Sequence, residues 1–381
     1  MLCSQSALAA KPIYFVFHAQ TPEWIGGKTV QIDHTQQWEL GQTRSDALRA
    51  LGKASDSVKN DLLSWSKKIN RDAVNSRFEP SGNAWKIVQK NGWTVDMDAT
   101  LSNFEQILQD PNRGQVNVVF EEKKPFRDIA FFQSRNITDL IGEGLTHYRG
   151  STRARIHNVH TGASQFIDRL FEGDTFSFNA LVGPIDSAHG YVEGLVISGD
   201  LTQAGVGGGI CQVSTTVFRA LFSAGLPILE RRNHRYQVSY YNPIGLDATI
   251  YQPTQDLRFK NDTGGSIWFQ TEWNDRKRRL IVRAFGKPRA EVVSISDPVV
   301  LSRRRPPADR YIVDSSLPAG KRIQIDWAAA GATVAVYRTF KDPQGKVVRS
   351  ETLRSTYVPW PNTYRIGPSP VKPKTDTPPS E

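Results

Sequence analysis

The chain of 381 residues is poor in cysteine, with only Cys3 and Cys211. If Cys3 is removed with a leader segment, as argued below, Cys211 is left alone and no intramolecular disulfide can form. A single thiol outside the reducing cytoplasm is open to oxidation unless it is buried or used in chemistry. The shortage of cysteine therefore argues against a disulfide framework and slightly favours a functional role for Cys211.

Long apolar runs and paired metal-binding histidines are also missing. No apolar run approaches the roughly 18 residues needed to cross a bilayer, so the sequence as given predicts no transmembrane segment. His157, His160 and His189 lie in one region, but no two of them have the spacing of a known zinc motif. We therefore predict no metal site and no other cofactor.

The net charge of +10 is spread along the chain, apart from the cluster Arg303-Arg304-Arg305, and acidic residues are interleaved with the basic ones. This distribution favours contact with an anionic envelope polymer such as teichoic acid, lipid headgroups or acidic muropeptides. It argues against a dedicated nucleic-acid groove. A basic protein with no such partner fits the composition equally well.

The stretch from Gly207 to Asp247 carries the strongest pattern. Apolar residues at helical spacing predict a helix from Gln212 to Ala224, ended by Gly225. Such a helix is about 20 Å long at roughly 1.5 Å per residue. An extended return from residue 228 to His234 covers about 20 Å at roughly 3.3 Å per residue. The return would therefore bring His234 back beside Cys211.

These residue types suit thiol chemistry. A cysteine at a helix start meets unpaired N–H groups and the positive end of the helix dipole, which favour the thiolate. An adjacent His234 would act as general base and then as general acid. The predicted substrate-binding residues lie beside the cysteine: Gly207, Gly208, Gly209, Gln212 and Ser214. The three glycines would admit a substrate backbone, and their N–H groups would stabilise an oxyanion.

A structural interpretation competes with this one. A lone cysteine often serves as a small buried hydrophobe, and glycine-rich turns before helices are common packing devices. A phosphate cradle is disfavoured, because no Lys-Ser/Thr pair follows the glycines. The conjunction of glycines, cysteine and histidine at this spacing is what favours chemistry.

A third member that orients the imidazole is harder to place from the sequence. Asn242-Pro243-Ile244-Gly245 predicts a turn, and a simple hairpin through it pairs Asp247 with Tyr240. Asp247 would then lie roughly 20 Å from His234, at about 3.3 Å per strand residue. Unless this segment is irregular, Asp256 or Glu230 fits as well.

The chain resembles the VanW family, named from a vancomycin-resistance gene cluster, over residues 126–289. The resemblance rests on GDTFSFN at 173–179, VGP at 182–184, GY at 190–191, GGGICQVSTT at 207–216, Glu230-Arg231, His234, LDAT at 246–249 and DLRFKN at 256–261. It implies a cell-envelope context and ranks Asp247 first as the third member.

The segment 11–125 reads as mixed α and β. We predict a strand over 11–18, a helix over 45–69, a hairpin whose turn is Lys90-Asn91-Gly92 and a helix from Asp98 to Leu108. The part from residue 77 onwards resembles the peptidoglycan-binding domain that often precedes the VanW region. The resemblance implies wall binding. Trp85 and Trp93 would stack on sugars, although tryptophans in a small domain are more often core.

The segment 290–368 alternates as short strands. Its apolar and polar pattern, with a turn at Asp342-Pro343-Gln344-Gly345, predicts an all-β module. It resembles the small module named for five glycines, although only four stand here. After it, the Pro-, Ser-, Thr- and Lys-rich residues 369–381 predict a disordered tail.

The first ten residues look like the end of a signal peptide. Ala7-Leu8-Ala9 has the small-residue pattern of a cleavage site, but no charged region and almost no apolar region precedes it. We therefore expect a start further upstream and export to the cell envelope or the medium.

Together these observations predict a multi-domain α+β protein of the cell envelope. Two functions remain open: a cysteine-dependent acyl-transfer enzyme that acts on stem-peptide amides with Cys211, His234 and Asp247, and a non-catalytic protein that binds peptidoglycan.

Overall fold

The computed structural model describes residues 10–198 and 201–368. The predicted tail at 369–381 and the predicted signal-peptide remnant, apart from Ala10, lie outside the described residues. The chain divides into two compact units, one ending at Arg135 and the other beginning at Asn136. The second unit contains the whole stretch from Gly207 to Asp247 and the C-terminal β region after it.

The amino-terminal unit combines a sheet with helices. Its elements are β1 (Tyr14–Ile25), β2 (Lys28–Glu39), α1 (Gln42–Leu51), α2 (Asp56–Ile69), β3 (Val74–Ser81), β4 (Ala84–Lys90), β5 (Gly92–Val95), α3 (Met97–Leu108), β6 (Gln115–Asn117), β7 (Phe120–Lys123) and α4 (Ile129–Gln133). The main sheet has the order β2-β1-β4-β3, with β6 parallel to β1, and β5 pairs separately with β7.

The core of this unit is aromatic. Alternation along β1 buries Phe15 and Phe17, because successive strand side chains point to opposite faces. Trp93 packs 5.2 Å from Phe17 between ring centroids and donates its indole N–H to the carbonyl of Ile69 at 2.6 Å. Trp93 is therefore a core residue, whereas Trp85 is half-buried.

Two local predictions for this unit are wrong. The predicted helix over 45–69 is two helices, because Gly52 ends α1 in the left-handed conformation at φ +70° and Ser55 caps α2. The predicted hairpin through Lys90-Asn91-Gly92 does not form, since β4 pairs with β3 and β1 while β5 pairs with β7. Gly92 crosses between the sheets close against the backbone of residues 71–73, where a side chain would clash.

The first part of the second unit contains the helix that carries Cys211. Its elements up to residue 286 are β8 (Asp139–His147), α5 (Arg153–Ser164), β9 (Arg169–Phe171), β10 (Thr175–Ser177), α6 (Phe178–Val182), β11 (Glu193–Ser198), β12 (Leu201–Val206), α7 (Ile210–Ser223), β13 (Ile228–Glu230), β14 (Arg258–Lys260), β15 (Ile267–Asn274) and β16 (Arg279–Gly286). Short 3-10 turns stand at Ser187–His189 and Ser239–Tyr241.

Helix α7 packs on the sheet β8-β16-β15-β9. Gly142 and Gly144 of β8 face its backbone, and a Cβ at either position would overlap a carbonyl of Ala220 or Thr216. Strands β15 and β16 of this sheet pair as an antiparallel hairpin. The close approach fixes α7, and hence Cys211, relative to the sheet.

The C-terminal β region completes the unit. Its strands are β17 (Val292–Ile295), β18 (Val299–Arg304), β19 (Arg310–Val313), β20 (Arg322–Asp326), β21 (Gly331–Lys341), β22 (Val347–Tyr357) and β23 (Thr363–Ile366). They form one sheet of β17, β21, β18 and β22 and a second of β19, β23 and β20.

This region shares a hydrophobic core with α7. Val336 of β21 belongs to the same buried cluster as Val217 and Phe222. The buried guanidinium of Arg338 donates to the carbonyls of Phe222 and Leu226 at 2.9 and 3.0 Å. The predicted multi-domain α+β class is confirmed by this mixture of helices and small sheets. No helix in the ranges 10–198 and 201–368 is both long and apolar enough to span a bilayer.

Candidate functional site

Helix α7 begins two residues earlier than predicted, at Ile210, so Cys211 lies in its first turn. Gly209 precedes the helix at φ +118°, a conformation that side chains rarely adopt. A Cβ on Gly209 would lie 2.9 Å from Cγ of Arg155, and one on Gly208 would lie 2.7 Å from the carbonyl carbon of Gly194. These glycines therefore let the chain's own α5 and β11 approach the start of α7.

The Cys211 thiol is half-buried and has polar neighbours on three sides. Its Sγ lies 3.6 Å from Oγ1 of Thr249 and 3.7 Å from the carbonyl oxygen of Ile250, and His234 is close enough to perturb its ionisation. Burial opposes ionisation of the thiol, but the hydrogen bond and positive charge of His234 outweigh it. The pKa of Cys211 is consequently lowered, which favours the thiolate.

His234 is buried between this thiol and a carboxylate. Its Nδ1 lies 2.6 Å from Oδ2 of Asp247, which also accepts the backbone N–H of His234 at 2.7 Å. Because Nδ1 faces the acid, Nε2 is the ring nitrogen left for the thiol. Desolvation lowers the pKa of His234, but Asp247 and Cys211 more than compensate and raise it to about 9. The two shifts act together, because each favours the charged form of its group.

The Asp247 side chain is almost fully buried and fully hydrogen-bonded. Oδ1 accepts the hydroxyl of Tyr357 at 2.5 Å and lies 3.3 Å from the guanidinium of Arg231. Burial alone would raise its pKa, but the bond to His234, the charges of His234 and Arg231 and the Tyr357 hydroxyl hold the pKa well below its usual range. Asp247 is therefore ionised and carries the negative charge that stabilises a protonated His234.

The structure thus brings Cys211, His234 and Asp247 together, with a hydrogen bond between the imidazole and the carboxylate and the thiol beside the imidazole. The two alternative acids are used elsewhere: Asp256 accepts the hydroxyl of Ser177 at 2.6 Å, and Glu230 accepts the backbone N–H of Asp256 at 2.9 Å. Each of them anchors a strand connection rather than the imidazole.

The simple hairpin expected between Tyr240 and Asp247 is wrong. Residues 239–241 form a 3-10 turn instead of a strand. The guanidinium of Arg219 in α7 donates to the carbonyls of Tyr241 and Leu246 at 2.6 and 2.9 Å. These two bonds bend the segment around the guanidinium. This irregularity removes the separation of about 20 Å that an extended strand would impose.

Gln212 and Ser214 are both fully buried. The Gln212 amide donates to Oγ1 of Thr146 at 3.1 Å, and the Ser214 hydroxyl donates to the carbonyl of Ala248 at 2.7 Å. Ser214 therefore ties α7 to the residue that follows Asp247. Both predicted substrate-binding side chains therefore form hydrogen bonds within the protein.

Several residues of the site have no recognisable signal in the sequence. The ring of Tyr241 stacks on His234 with centroids 4.5 Å apart and covers one face of the imidazole. Arg155 lies 3.5 Å from the Tyr241 hydroxyl and 3.9 Å above the ring of Tyr240. Arg231 was visible only as part of the family pattern, and Tyr357 is 110 residues away from Asp247.

The three histidines considered for a metal have separate partners. His157 contacts the carbonyl of Gly190 at 2.7 Å, and His189 contacts Asp186 at 2.7 Å. His160 lies 3.3 Å from Asp275. In the part of the chain that the structure describes, no three His, Cys, Asp or Glu side chains are arranged to hold a metal ion.

Comparison with known proteins matches the region that forms this site. Residues 154–284 match the family model described as VanW like protein. The chain is 40% identical over 197 residues to the protein YoaR of Bacillus subtilis (strain 168), covering 51% of the chain and 63% of YoaR. It is 32% identical over 128 residues to the vancomycin B-type resistance protein VanW of Enterococcus faecalis (strain ATCC 700802 / V583), covering 32% of the chain and 46% of that protein.

The matched part spans less than two thirds of the length of either relative. Among solved structures, the G5 domain of IgA1 protease covers 21% of this chain and 90% of its own at 16% identity and a TM-score of 0.15. HP0197-G5 covers 20% of this chain and 97% of its own at 22% identity and a TM-score of 0.11. These TM-scores are too low to assign a fold. Residues 154–284 are thus similar to the family model described as VanW like protein, and one of the two relatives carries the VanW name.

Proposed function

We propose that the protein is an exported cell-envelope enzyme that transfers acyl groups through Cys211, acting on amides of the peptidoglycan stem peptide. The observation that carries the proposal is a half-exposed thiol beside His234, whose imidazole is hydrogen-bonded to the buried Asp247. A nucleophile, a base and a group that orients the base are the parts that acyl transfer needs.

The reaction would proceed in two balanced steps. Sγ of Cys211 attacks the amide carbonyl carbon, the C–N bond breaks, and Nε2 of the His234 imidazolium gives its proton to the leaving amine. This leaves a thioester on Cys211 and a neutral imidazole. His234 then takes a proton from water or from an acceptor amine, which attacks the thioester and restores the thiolate–imidazolium pair. Water gives hydrolysis, and an amine gives crosslinking.

The oxyanion of each step needs donors near Sγ. The N–H groups of Ile210 and Gln212 are taken by the carbonyls of Gly207 and Gly209 at 3.0 and 2.9 Å. No acceptor among the described residues takes the N–H of Cys211, and this group points from the positive end of α7. We assign it as one oxyanion donor, with the adjacent glycine backbone supplying the second.

The choice of substrate draws on the rest of the chain. One relative is named a vancomycin-resistance protein, which sets a cell-wall context for the proposal. The net charge of +10 suits an acidic polymer, and the segment 11–125 resembles a peptidoglycan-binding domain. The same context supports export. No step of the proposed reaction needs a cofactor.

The test is incubation of the full chain with purified stem-peptide muropeptides, followed by mass spectrometry of the products. We expect loss of the mass of the leaving amine, with gain of water for hydrolysis or of an acceptor peptide for crosslinking. Cys211→Ala should abolish both products. Products that persist in Cys211→Ala, or none in the wild type with any muropeptide, would contradict the proposal.

A second candidate, a non-catalytic wall-binding protein, is favoured by exposed aromatic residues of the C-terminal β region. Tyr311 is 51% exposed and stacks on Tyr364 at 5.5 Å, and Trp327 is 67% exposed. Such rings offer flat surfaces on which sugars stack. Under this candidate alone, Cys211→Ala would keep both wall binding and the cellular phenotype, whereas Tyr311→Ala and Trp327→Ala would lose sedimentation with insoluble peptidoglycan.

A further inference from the structure

Asp247 is held by residues from two distant parts of the chain. His234 contacts Oδ2, while Tyr357 donates to Oδ1 at 2.5 Å from the end of strand β22. Tyr357 stands 110 residues after Asp247, beyond the end of the region that matches the VanW family model at residue 284. A contact to the acid of the site therefore comes from the C-terminal β region.

The hydroxyl of Tyr357 is fixed in direction. It accepts the backbone N–H of Gly245 at 2.8 Å and donates to Asp247 at 2.5 Å. Its ring is 2% exposed and packs with Ala332 and Val334 in a small hydrophobic cluster. Because both the ring and the hydroxyl are held, the phenol can act as a rigid support for the carboxylate.

The end of β22 also runs beside the segment that carries His234. The side-chain amide of Asn233 donates to the carbonyl of Thr356 at 2.9 Å. The backbone N–H of Val358 donates to the carbonyl of Arg235 at 2.8 Å. These two bonds bracket His234, so β22 fixes the backbone on both sides of the imidazole.

A second side chain of β22 reaches the same acid through Arg231. The Ser355 hydroxyl accepts from Nη1 of Arg231 at 2.8 Å and donates to the carbonyl of Gly245 at 3.2 Å. Arg231 in turn lies 3.3 Å from Oδ1 of Asp247. Tyr357 and Ser355 therefore support the carboxylate from one strand.

We propose that Tyr357 is a positioning residue of the Cys211 site, so that the C-terminal β region forms part of the reaction centre in addition to any wall-binding surface. This inference rests on the proposed function. Tyr357 touches neither the thiol nor a substrate, and it acts by aligning Asp247 with the imidazole.

The hydroxyl acts on Asp247 in two opposing ways. As a donor it withdraws negative charge from the carboxylate, which weakens the hold on a protonated His234. As a support it keeps Oδ2 aligned with Nδ1 at 2.6 Å. We expect alignment to dominate, because a carboxylate released at Oδ1 turns towards Arg231 and loses the short contact to the ring.

The experiment compares Tyr357→Phe with a matched control, Tyr148→Phe. The Tyr148 hydroxyl also donates to an aspartate, Asp275, at 2.7 Å, but takes no part in the contacts of Asp247. The rate of Cys211 alkylation by iodoacetamide is measured from pH 5 to 10 in the full chain. Tyr357→Phe should raise the apparent thiol pKa by about half to one unit and slow alkylation at pH 7 about three- to tenfold.

Thermal unfolding separates positioning from general loosening. The two variants should lose comparable stability, since each deletes one buried hydroxyl, but only Tyr357→Phe should change the alkylation profile. A profile in Tyr357→Phe that is unchanged or faster, with a reactive wild type, overturns the inference and leaves the proposed function standing. A wild-type thiol that reacts only after unfolding overturns both.

A milder variant covers the case in which Tyr357→Phe does not fold. Ser355→Ala removes one acceptor of Arg231 and leaves the Tyr357 hydroxyl in place. It should slow alkylation at pH 7 about twofold, because Arg231 loses one of its fixed partners and supports Oδ1 less firmly. If the Ser355→Ala profile coincides with that of the wild type, β22 has no positioning role.

Discussion

Two histidine–aspartate pairs in the same unit differ in how the acid is held. His234 and Asp247 approach to 2.6 Å and are nearly excluded from solvent, with side chains 4% and 3% exposed. His160 and Asp275 lie 3.3 Å apart, and the Asp275 side chain is 56% exposed. The first carboxylate is enclosed by buried donors, whereas the second accepts the buried hydroxyl of Tyr148 but is more than half exposed to solvent.

The two imidazoles consequently shift in opposite directions. Desolvation lowers the pKa of both, but at His234 the bonds and charges of Asp247 and Cys211 outweigh it and raise the pKa to about 9. At His160 desolvation dominates over Asp275, and the pKa is lowered. A neighbouring carboxylate is therefore not enough to raise the pKa of a partly buried histidine, whereas an enclosed carboxylate together with an ionisable thiol raises it.

Asp247→Asn should have the largest effect on the difference between the two histidine–aspartate pairs. It leaves the buried Arg231 without its counter-charge, and we expect a loss of about 3 kcal/mol in the free energy of unfolding. The matched change Asp275→Asn, at an exposed pair, should cost no more than about 0.5 kcal/mol. Urea unfolding of both variants at pH 7 measures the difference. Equal losses would show that the two acids are held alike.

Titration of the two imidazoles by NMR is the next sharpest test. We expect His234 to titrate with a midpoint near 9, because Asp247 and Cys211 stabilise its protonated form. Its contribution to stability is then present below about pH 6.5 and is lost as the pH rises towards 9. The lowered thiol pKa gives stability the opposite dependence on pH. The NMR titration of His234 is therefore a better readout than the stability curve. A His234 midpoint below 6.5 would contradict the ion pair.

His160→Gln should change the acid side of the stability curve. Because the pKa of His160 is lowered in the folded protein, wild-type stability falls as the pH drops from about 6.5 through its folded value. The variant lacks this group and should lose less stability between pH 7.5 and pH 5. Urea midpoints at the two pH values measure the change, and His189→Gln, at an exposed histidine, is the control. Parallel losses in wild type and His160→Gln would refute the assignment.

Tyr241→Phe should have the smallest effect. The Tyr241 ring, not its hydroxyl, covers the face of His234, and among the described residues the hydroxyl has one hydrogen bond, the long contact of 3.5 Å to Arg155. We expect alkylation of Cys211 at pH 7 to change less than about twofold, since the stacking and the exclusion of water remain. Tyr241→Ala, which opens the imidazole to water, should change it more. A larger effect of the phenylalanine variant would assign a role to the hydroxyl.

The sequence predicted the helix that carries Cys211 because its apolar spacing is local. The return to His234 was predicted from the lengths of a helix and an extended segment, although the regular strand β13 ends at Glu230. The position of Asp247 was not, because Arg219 of α7 collects carbonyls from the segment before it and bends it out of a strand. No local pattern reports a contact between residues that far apart.

The same limit applies to the support of the acid and to the amino-terminal unit. Tyr357 reaches Asp247 across 110 residues, and its own strand pattern says only that its side chain points inward. The Lys90-Asn91-Gly92 segment has the composition of a hairpin turn, yet Gly92 is needed for a close approach to the backbone near Ala73. The sequence shows where a glycine stands. Only the tertiary structure shows which structural role requires it.

The most direct test of the account is the rate of Cys211 alkylation by iodoacetamide against pH, in the wild type and in His234→Ala. We expect an apparent thiol pKa well below the ordinary value of about 8.5, and a return towards that value without the imidazole. A thiol that stays inert at every pH until the protein unfolds would contradict it. Cys211 would then be a core residue, and the wall-binding function would take precedence.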